Sequence, residues 1–211
     1  MAKNLGSKCK LCRRAGEKLF LKGDRCASPK CAAVRKPYAP GAHGQTGGGR
    51  GLSEFGKQLA EKQKLKRLYS VSERQFRRHL GYAQKLPGVV GDNLIIGLEM
   101  RLDNIVYRLG LAISRSQARQ LVSHGMFKVN DRPLNVPSVQ LKIGDEIQVK
   151  QQKTKNAYFK ELQAIIKKKH QLPGWLSFDA ETMTAKVLSS PDKDEVGAAV
   201  DMPAVLEFYS R

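Results

Sequence analysis

The stretch MRLDNIVYRLGLAISRSQARQLVSHGMFKVNDRPLNVPSVQLKIGDEIQV, residues 100–149, holds both of the periodicities that distinguish helix from strand. Leu102, Ile105, Val106 and Leu109 fall at i, i+3, i+4 and i+7, which predicts an amphipathic helix ended by Gly110. Ser114 then caps a second helix, with Gln117 three residues on completing a capping box. Ala118, Leu121 and Val122 form its apolar face, and Gly125 stops it. FKVNDRPL (127–134) is a short strand running into an Asn-Asp turn, and VQLKIGDEIQV (139–149) alternates around Gly144-Asp145 as a hairpin. Two helices packed on a short sheet follow, so the fold class is α+β.

The polar faces of those helices carry one sign. Arg101 and Arg108 stand seven apart, on one face of the first helix, and Arg115 and Arg119 are i, i+4 near the N-terminus of the second, where backbone N–H groups favour phosphate. Lys128 lies on the strand that follows. A planar guanidinium suits bidentate phosphate contact, although surface arginines more often simply face water. The charge of the whole chain decides between these readings. Its 211 residues hold 38 basic and 19 acidic side chains, a net +19. Residues 1–50 contribute +10, 51–99 +4, 100–149 +3 and 150–172 +6, against −4 for 173–211. Such an excess repels itself until a polyanion neutralises it. Nucleic acid is the leading partner and an anionic membrane the second. No apolar run approaches the roughly 18 residues that span a bilayer, and MAKNLGSKCK (1–10) has no apolar core of a secretory signal. A cytosolic chain with reduced thiols is expected.

Upstream, PYAPGAHGQTGGGRG (37–51) is too rich in glycine and proline for a helix, and no Gly-Lys-Ser/Thr makes it a phosphate loop. A helical region follows, with Ser53 and Ser72 as N-caps and a glutamate after each. Phe76, Leu80 and Ala83 share one face, whereas Arg74, Arg77, Arg78 and Lys85 spread over the rest. Leu86-Pro87-Gly88 ends the segment, and Asp92 reads as the cap of the next helix. Tyr158 or Phe159 with Leu162, Ile165 and Ile166 gives a further helix its core face. These two aromatics, with Tyr38, Tyr69 and Tyr82, are read as packing residues before base-stacking ones.

All four cysteines lie in CKLCRRAGEKLFLKGDRCASPKC (9–31). Cys9-x2-Cys12 and Cys26-x4-Cys31 suit four thiolates converging on a structural zinc, with no open position for catalysis. An iron–sulfur cluster is the alternative, and His43 an alternative ligand. The arm has few apolar residues of its own, which favours a metal-clipped fold. Lys8, Lys10, Arg13, Arg14, Arg25 and Lys30 surround the thiols.

The module at 100–149 resembles the RNA-binding module named after small-subunit ribosomal protein S4, found also in some pseudouridine synthases, tyrosyl-tRNA synthetases and heat-shock ribosome-binding proteins. YAPGAHGQ (38–45), FGKQLAEKQKLKRLYSVSERQFRR (55–78), LPGWL (172–176) and EFYSR (207–211) extend the resemblance over nearly the whole chain to the bacterial ribosomal protein family itself. That resemblance implies a primary binder of 16S ribosomal RNA that nucleates assembly of the small-subunit body, in the cytoplasm or, alternatively, on an organellar ribosome. Composition marks a basic four-cysteine arm with linker at 1–51, and the resemblance implies a helical domain at 52–98 completed by about 197–211. The RNA-binding α/β domain is then inserted at 99–196. It further implies contact with the neighbouring protein S5, a place on the messenger RNA path, a bearing on decoding accuracy and, in some members, repression of the protein's own operon. The RNA-contacting set is expected to comprise Arg13, Arg14, Arg25, Lys30, Arg35, Arg50, Lys64, Lys66, Arg67, Arg74, Arg77, Arg78, Arg101, Arg108, Arg115, Arg119 and Lys128. Folded RNA is read mainly by shape, phosphate and 2′-OH contacts, which suits so broad a basic surface.

Two other functions compete. An RNA-modifying enzyme built on the same module needs a catalytic domain, and the remaining length leaves none. Asp103, Asp131, Asp145 and Glu146 sit where capping or solvation explains them, and His79, His124 and His170 have no adjacent nucleophile. A zinc-containing DNA regulator needs an amphipathic recognition helix between its cysteine pairs, and none is evident. The chain reads as a binding protein without enzymatic activity.

Overall fold

The computed structural model describes residues 6–46, 51–150, 152, 158–159, 172–191 and 200–210. Two compact units form, one from residues 1–91 with 198–211 and the other from 92–197. The first unit begins with three short helices, α1 (Lys8–Ala15), α2 (Asp24–Ala27) and α3 (Ala32–Arg35). Gly16, at φ 75°, takes the left-handed position that ends α1. Cys12, Leu19 and Leu21 make a small core there, with Leu11, Ala15 and Ala33 packed on it.

The longer helices start where their caps predict. Gly56 N–H donates to Ser53 Oγ at 3.2 Å ahead of α4 (Glu54–Leu68). At α5 (Glu73–Ala83), Gln75 N–H donates to Ser72 Oγ and Ser72 N–H donates to Gln75 Oε1, a closed capping box. Phe76, Leu80 and Ala83 are buried on the face their spacing assigns. In α6 (Val90–Glu99) Asp92 stands inside the first turn and not at the cap, because the helix begins two residues earlier. A carboxylate in that turn still favours the helix dipole.

In the second unit, α7 (Leu102–Arg108) and α8 (Arg115–Ser123) pack on each other. Leu102, Ile105, Val106 and Leu109 are fully buried, each contributing about 1.5–3 kcal/mol. Ser114 caps α8, but the box is displaced by one residue: Gln117 Oε1 accepts from Ile113 N–H at 2.8 Å. Among the described residues, five antiparallel strands follow in the order β2-β1-β3-β5-β4, from β1 (Phe127–Val129), β2 (Arg132–Leu134), β3 (Glu146–Val149), β4 (Leu176–Asp179) and β5 (Thr184–Val187). Phe127 faces Val149, Val129 faces Ile147, Ile147 faces Ala185 and Leu176 faces Val187, and all of these are buried. The β1–β2 turn places Asn130 and Asp131 at φ 47° and 62°, the pair of left-handed residues a two-residue hairpin needs.

The expected hairpin at 139–149 does not form. Leu141 N–H donates to the Met100 carbonyl and Leu102 N–H to the Val139 carbonyl, both at 2.9 Å, while Gln140 bridges Arg101. Residues 139–141 thus pair with the entry to α7, and β3 takes β1 and β5 as neighbours. Phe159 is buried in the same core and Tyr158 Oη donates to the Leu111 carbonyl at 2.9 Å. Leu162, Ile165 and Ile166, expected on the same helix face, lie outside the described residues.

The last helix, α9 (Met202–Ser210), packs on α4 and completes the first unit. Phe208 lies 5.5 Å from the Phe55 ring and Tyr209 stacks on Phe76 at 5.8 Å. Gln58 Nε2 donates to Glu207 at 2.7 Å.

Candidate nucleic-acid interface

In the second unit the arginines of α7 and α8 are gathered on buried carboxylates. Glu99 is fully buried, and Arg108 Nε and Nη2 donate to its two oxygens at 2.9 and 2.7 Å. Asn104 Nδ2 donates to Glu99 Oε2 at 2.6 Å, and Asn104 Oδ1 accepts from Arg115 Nε at 2.7 Å. Arg115 Nη2 lies 3.8 Å from Glu99 Oε1, and its guanidinium covers the Tyr107 ring at 4.6 Å. Beside this set, Arg101 makes a bidentate pair with Asp103 at 3.0 and 2.8 Å, and Arg119 stands 3.8 Å from the same carboxylate.

These contacts sort the expected phosphate-facing residues. Arg108, Arg115 and Arg119 keep 18, 12 and 15% of their side chains at the surface. Arg101 keeps 1%, so the expectation that it faces RNA is corrected. It precedes α7 as the extended N-cap residue, and the seven-residue spacing to Arg108 therefore does not put both on one helical face. Lys128 is half-buried on β1.

The first unit presents its cations differently. Arg14, Arg25, Lys30, Arg35, Arg74, Arg77 and Arg78 are exposed, Arg77 over 69% of its side chain. Arg78 donates to Tyr82 Oη at 3.1 Å, holding that exposed ring. Arg67 is half-buried, and its pKa is lowered by burial and by the Arg14 guanidinium, which brings α1 and α4 together as a doubly cationic spot. Arg13 is turned inward: Nε and Nη2 donate to the Tyr38 and Ala39 carbonyls at 2.9 and 3.1 Å, and the guanidinium sits over the Tyr38 ring. It ties the segment at 38–39 to α1. Lys64 is buried between Glu17 at 2.8 Å and Glu61 at 3.6 Å, which corrects its outward placement. Lys66 pairs with Glu73 at 3.0 Å. Arg50 lies outside the described residues.

Glu73 anchors α9. Burial pushes its carboxyl up, but the Tyr209 hydroxyl at 2.7 Å and the Lys66 and Lys62 ammonium groups outweigh that and hold it at about 2. Burial and the Glu73 carboxylate raise the Tyr209 phenol. Lys62, itself buried, lies 4.2 Å from the centre of the Phe208 ring.

The cysteine arm departs from its sequence reading. The four thiols line one small cavity with Leu21 and Ala33, and Cys12, Cys26 and Cys31 are buried. Burial raises the Cys12 thiol, the neighbouring thiols add to the rise, and Lys22 N–H donates to Cys26 Sγ at 3.3 Å. Yet among the described residues no group of three or more His, Cys, Asp or Glu side chains is disposed to hold a metal ion. The expectation of a zinc or an iron–sulfur cluster on Cys9, Cys12, Cys26 and Cys31 is corrected accordingly. Thiols pack as small apolar groups, and buried Cys12, Cys26 and Cys31 with Leu19 and Leu21 supply a core that the arm's few aliphatic residues do not make alone.

Sequence reasoning missed Glu99, Asn104 and Lys62. The signal for Glu99 was present: it follows Ile95 by four residues, on the apolar side of α6, where a carboxylate must find a buried partner.

Comparison with known proteins finds two family models along the chain. Residues 3–99 fit the family model described as "Ribosomal protein S4/S9 N-terminal domain", and residues 100–147 fit the "S4 domain". Over all 211 residues, and the full length of each relative, the chain is 49% identical to the "Small ribosomal subunit protein uS4" of Caldicellulosiruptor bescii and 49% to that of Pelotomaculum thermopropionicum. The protein of the same name from Clostridioides difficile is 47% identical over the same span. These relatives are ribosomal proteins, which bears out the reading of a structural, non-enzymatic chain. With two family models matched over residues 3–147 and identity sustained from end to end, the chain belongs to the small ribosomal subunit protein uS4 family.

Proposed function

We propose that this chain is a structural protein of the cytoplasmic small ribosomal subunit that binds 16S ribosomal RNA and neighbouring subunit proteins. Within that role it nucleates assembly of the subunit body, gripping a multi-helix RNA junction with both units. The helical domain (52–98 with 197–211) and the inserted α/β domain (99–196) each supply part of the grip. Arg14, Arg25, Lys30, Arg35, Arg67, Arg74, Arg77 and Arg78 are its phosphate contacts in the first unit, and Arg108, Arg115, Arg119 and Lys128 in the second. S5 is the protein neighbour, and the messenger path, decoding accuracy and repression of its own operon complete the reading.

The observation that carries it is the partition of a net +19 charge into exposed cations on the arm and α5 and arginines held at the surface of α7 and α8. Phosphate neutralisation by such groups releases counterions, so affinity falls steeply with salt. Chemical footprinting of 16S RNA with the purified full-length protein tests this, with duplex DNA as competitor at matched salt. Protection centred on one RNA junction and resistant to DNA supports the reading; diffuse protection that DNA abolishes ends it.

A further inference from the structure

The second unit keeps a fully buried carboxylate beneath a surface that the proposed function assigns to RNA, and that placement needs a reason. The Glu99 carboxylate receives Arg108 through two hydrogen bonds and Asn104 through one, Asn104 also donates to the Glu99 backbone carbonyl at 3.0 Å, and its Oδ1 accepts from Arg115. Removing a carboxylate from water is expensive, and a buried ion pair of this kind is often no more stabilising than apolar packing. Stability alone is therefore a weak explanation for it. Its geometric effect is specific: one anion fixes the guanidinium planes of arginines that come from two different helices.

We propose that Glu99 is a positioning residue for ribosomal RNA, holding Arg108 directly and Arg115 through Asn104 in the orientation that phosphates meet. Three features argue for this. Both guanidiniums are held in more than one way, Arg108 by two hydrogen bonds and Arg115 by Asn104 and the Tyr107 face, so their side-chain entropy is lost before RNA arrives. Both still reach the surface, over 18 and 12% of their side chains, whereas Glu99 itself reaches none. The carboxylate therefore acts on RNA only through the arginines, and a phosphate meets cations at the surface while the anion lies beneath them. Arg119 on Asp103 repeats the arrangement one turn along α8.

This inference rests on the RNA-binding reading, and the sign of one substitution separates it from simple electrostatics. Glu99→Gln removes a negative charge from a chain that binds a polyanion. If Glu99 only offsets charge, the variant binds 16S RNA more tightly. If it positions Arg108 and Arg115, the variant binds more weakly, by on the order of tenfold, with a shallower salt dependence. Full-length wild type, E99Q and E99D are compared by filter binding to 16S RNA across a salt series, at a temperature where circular dichroism shows all three native. The expected result is weaker binding by E99Q and partial recovery in E99D, which restores the charge on a shorter stem. Equal or tighter binding by folded E99Q overturns the proposal. Should E99Q not fold, Asn104→Ser decides, since it loosens Arg115 at constant charge: a severalfold loss of affinity supports positioning, and unchanged affinity overturns it. Wild type that shows no salt-dependent binding to 16S RNA would overturn the functional reading itself, a result distinct from either variant's.

Discussion

The arginines of α5 and the outer face of the arm and those of α7 and α8 are side chains of the same kind in opposite states. On α5 and the arm, Arg74, Arg77, Arg25 and Arg35 stand out into solvent. On α7 and α8, Arg108, Arg115 and Arg119 lie against buried carboxylates with under a fifth of each side chain exposed. Exposed arginines adapt to a phosphate wherever it falls and lose rotamer freedom on binding. Held arginines demand a phosphate in one place, and they have lost that freedom already. In the proposed role, arginines of the first kind capture RNA over a wide area and those of the second fix its register at one point.

The sharpest way to break this comparison is one substitution made in each unit. Arg108→Ala leaves the Glu99 carboxylate buried with a bidentate partner gone, and should cost the second unit about 3–5 kcal/mol in urea unfolding. Next in size, replacing Arg74, Arg77 and Arg78 together with alanine should flatten the salt dependence of RNA binding by about 2 to 3 in slope, with the circular dichroism spectrum kept. A slope that does not change removes α5 from the interface.

Tyr209→Phe tests the anchor of α9 and should lower stability by about 1–2 kcal/mol. Its effect depends on pH in a definite direction. The Glu73 carboxyl is held at about 2, below its ordinary 4.5, so the stability it contributes is fully present above about 4.5 and is lost as pH falls toward 2. Melting curves of wild type and Y209F should therefore differ at neutral pH and converge in acid; a constant gap would show that the hydroxyl acts without the carboxylate. The smallest effect is expected from Arg74→Ala alone, within about 0.5 kcal/mol. If it matches Arg108→Ala, the contrast between the units fails.

The helices of both units were legible because their apolar residues keep the 3.6 period and their caps are explicit, at Ser53, Ser72 and Ser114. The Asn130-Asp131 turn was legible for the same local reason. What escaped is set by tertiary burial, and in part by partners distant in sequence. Residues 139–141 alternate like a strand but pair with Met100 and Arg101, and only the fold brings that entry segment beside them. Strands β4 and β5 are joined through Ala180, Glu181, Thr182 and Met183, without the Asn-Asp pair that marked the turn between β1 and β2. Arg101 and Lys64 look like surface charges by composition, and Asp103, Glu17 and Glu61 take them out of solvent. The cysteine spacing was clear, but spacing alone does not distinguish thiols that coordinate from thiols that pack.

The docking of α9 on α4 has a consequence for how the chain comes into being. Tyr209 stands 136 residues after the Glu73 it anchors, and the second unit lies between them. As the nascent chain lengthens, α4 and α5 emerge early with one flank bare, and the inserted unit is complete before the helix that covers that flank is translated. The first unit to begin is the last to close, and its buried Lys62 and ring pairs form only when synthesis reaches Phe208 and Tyr209.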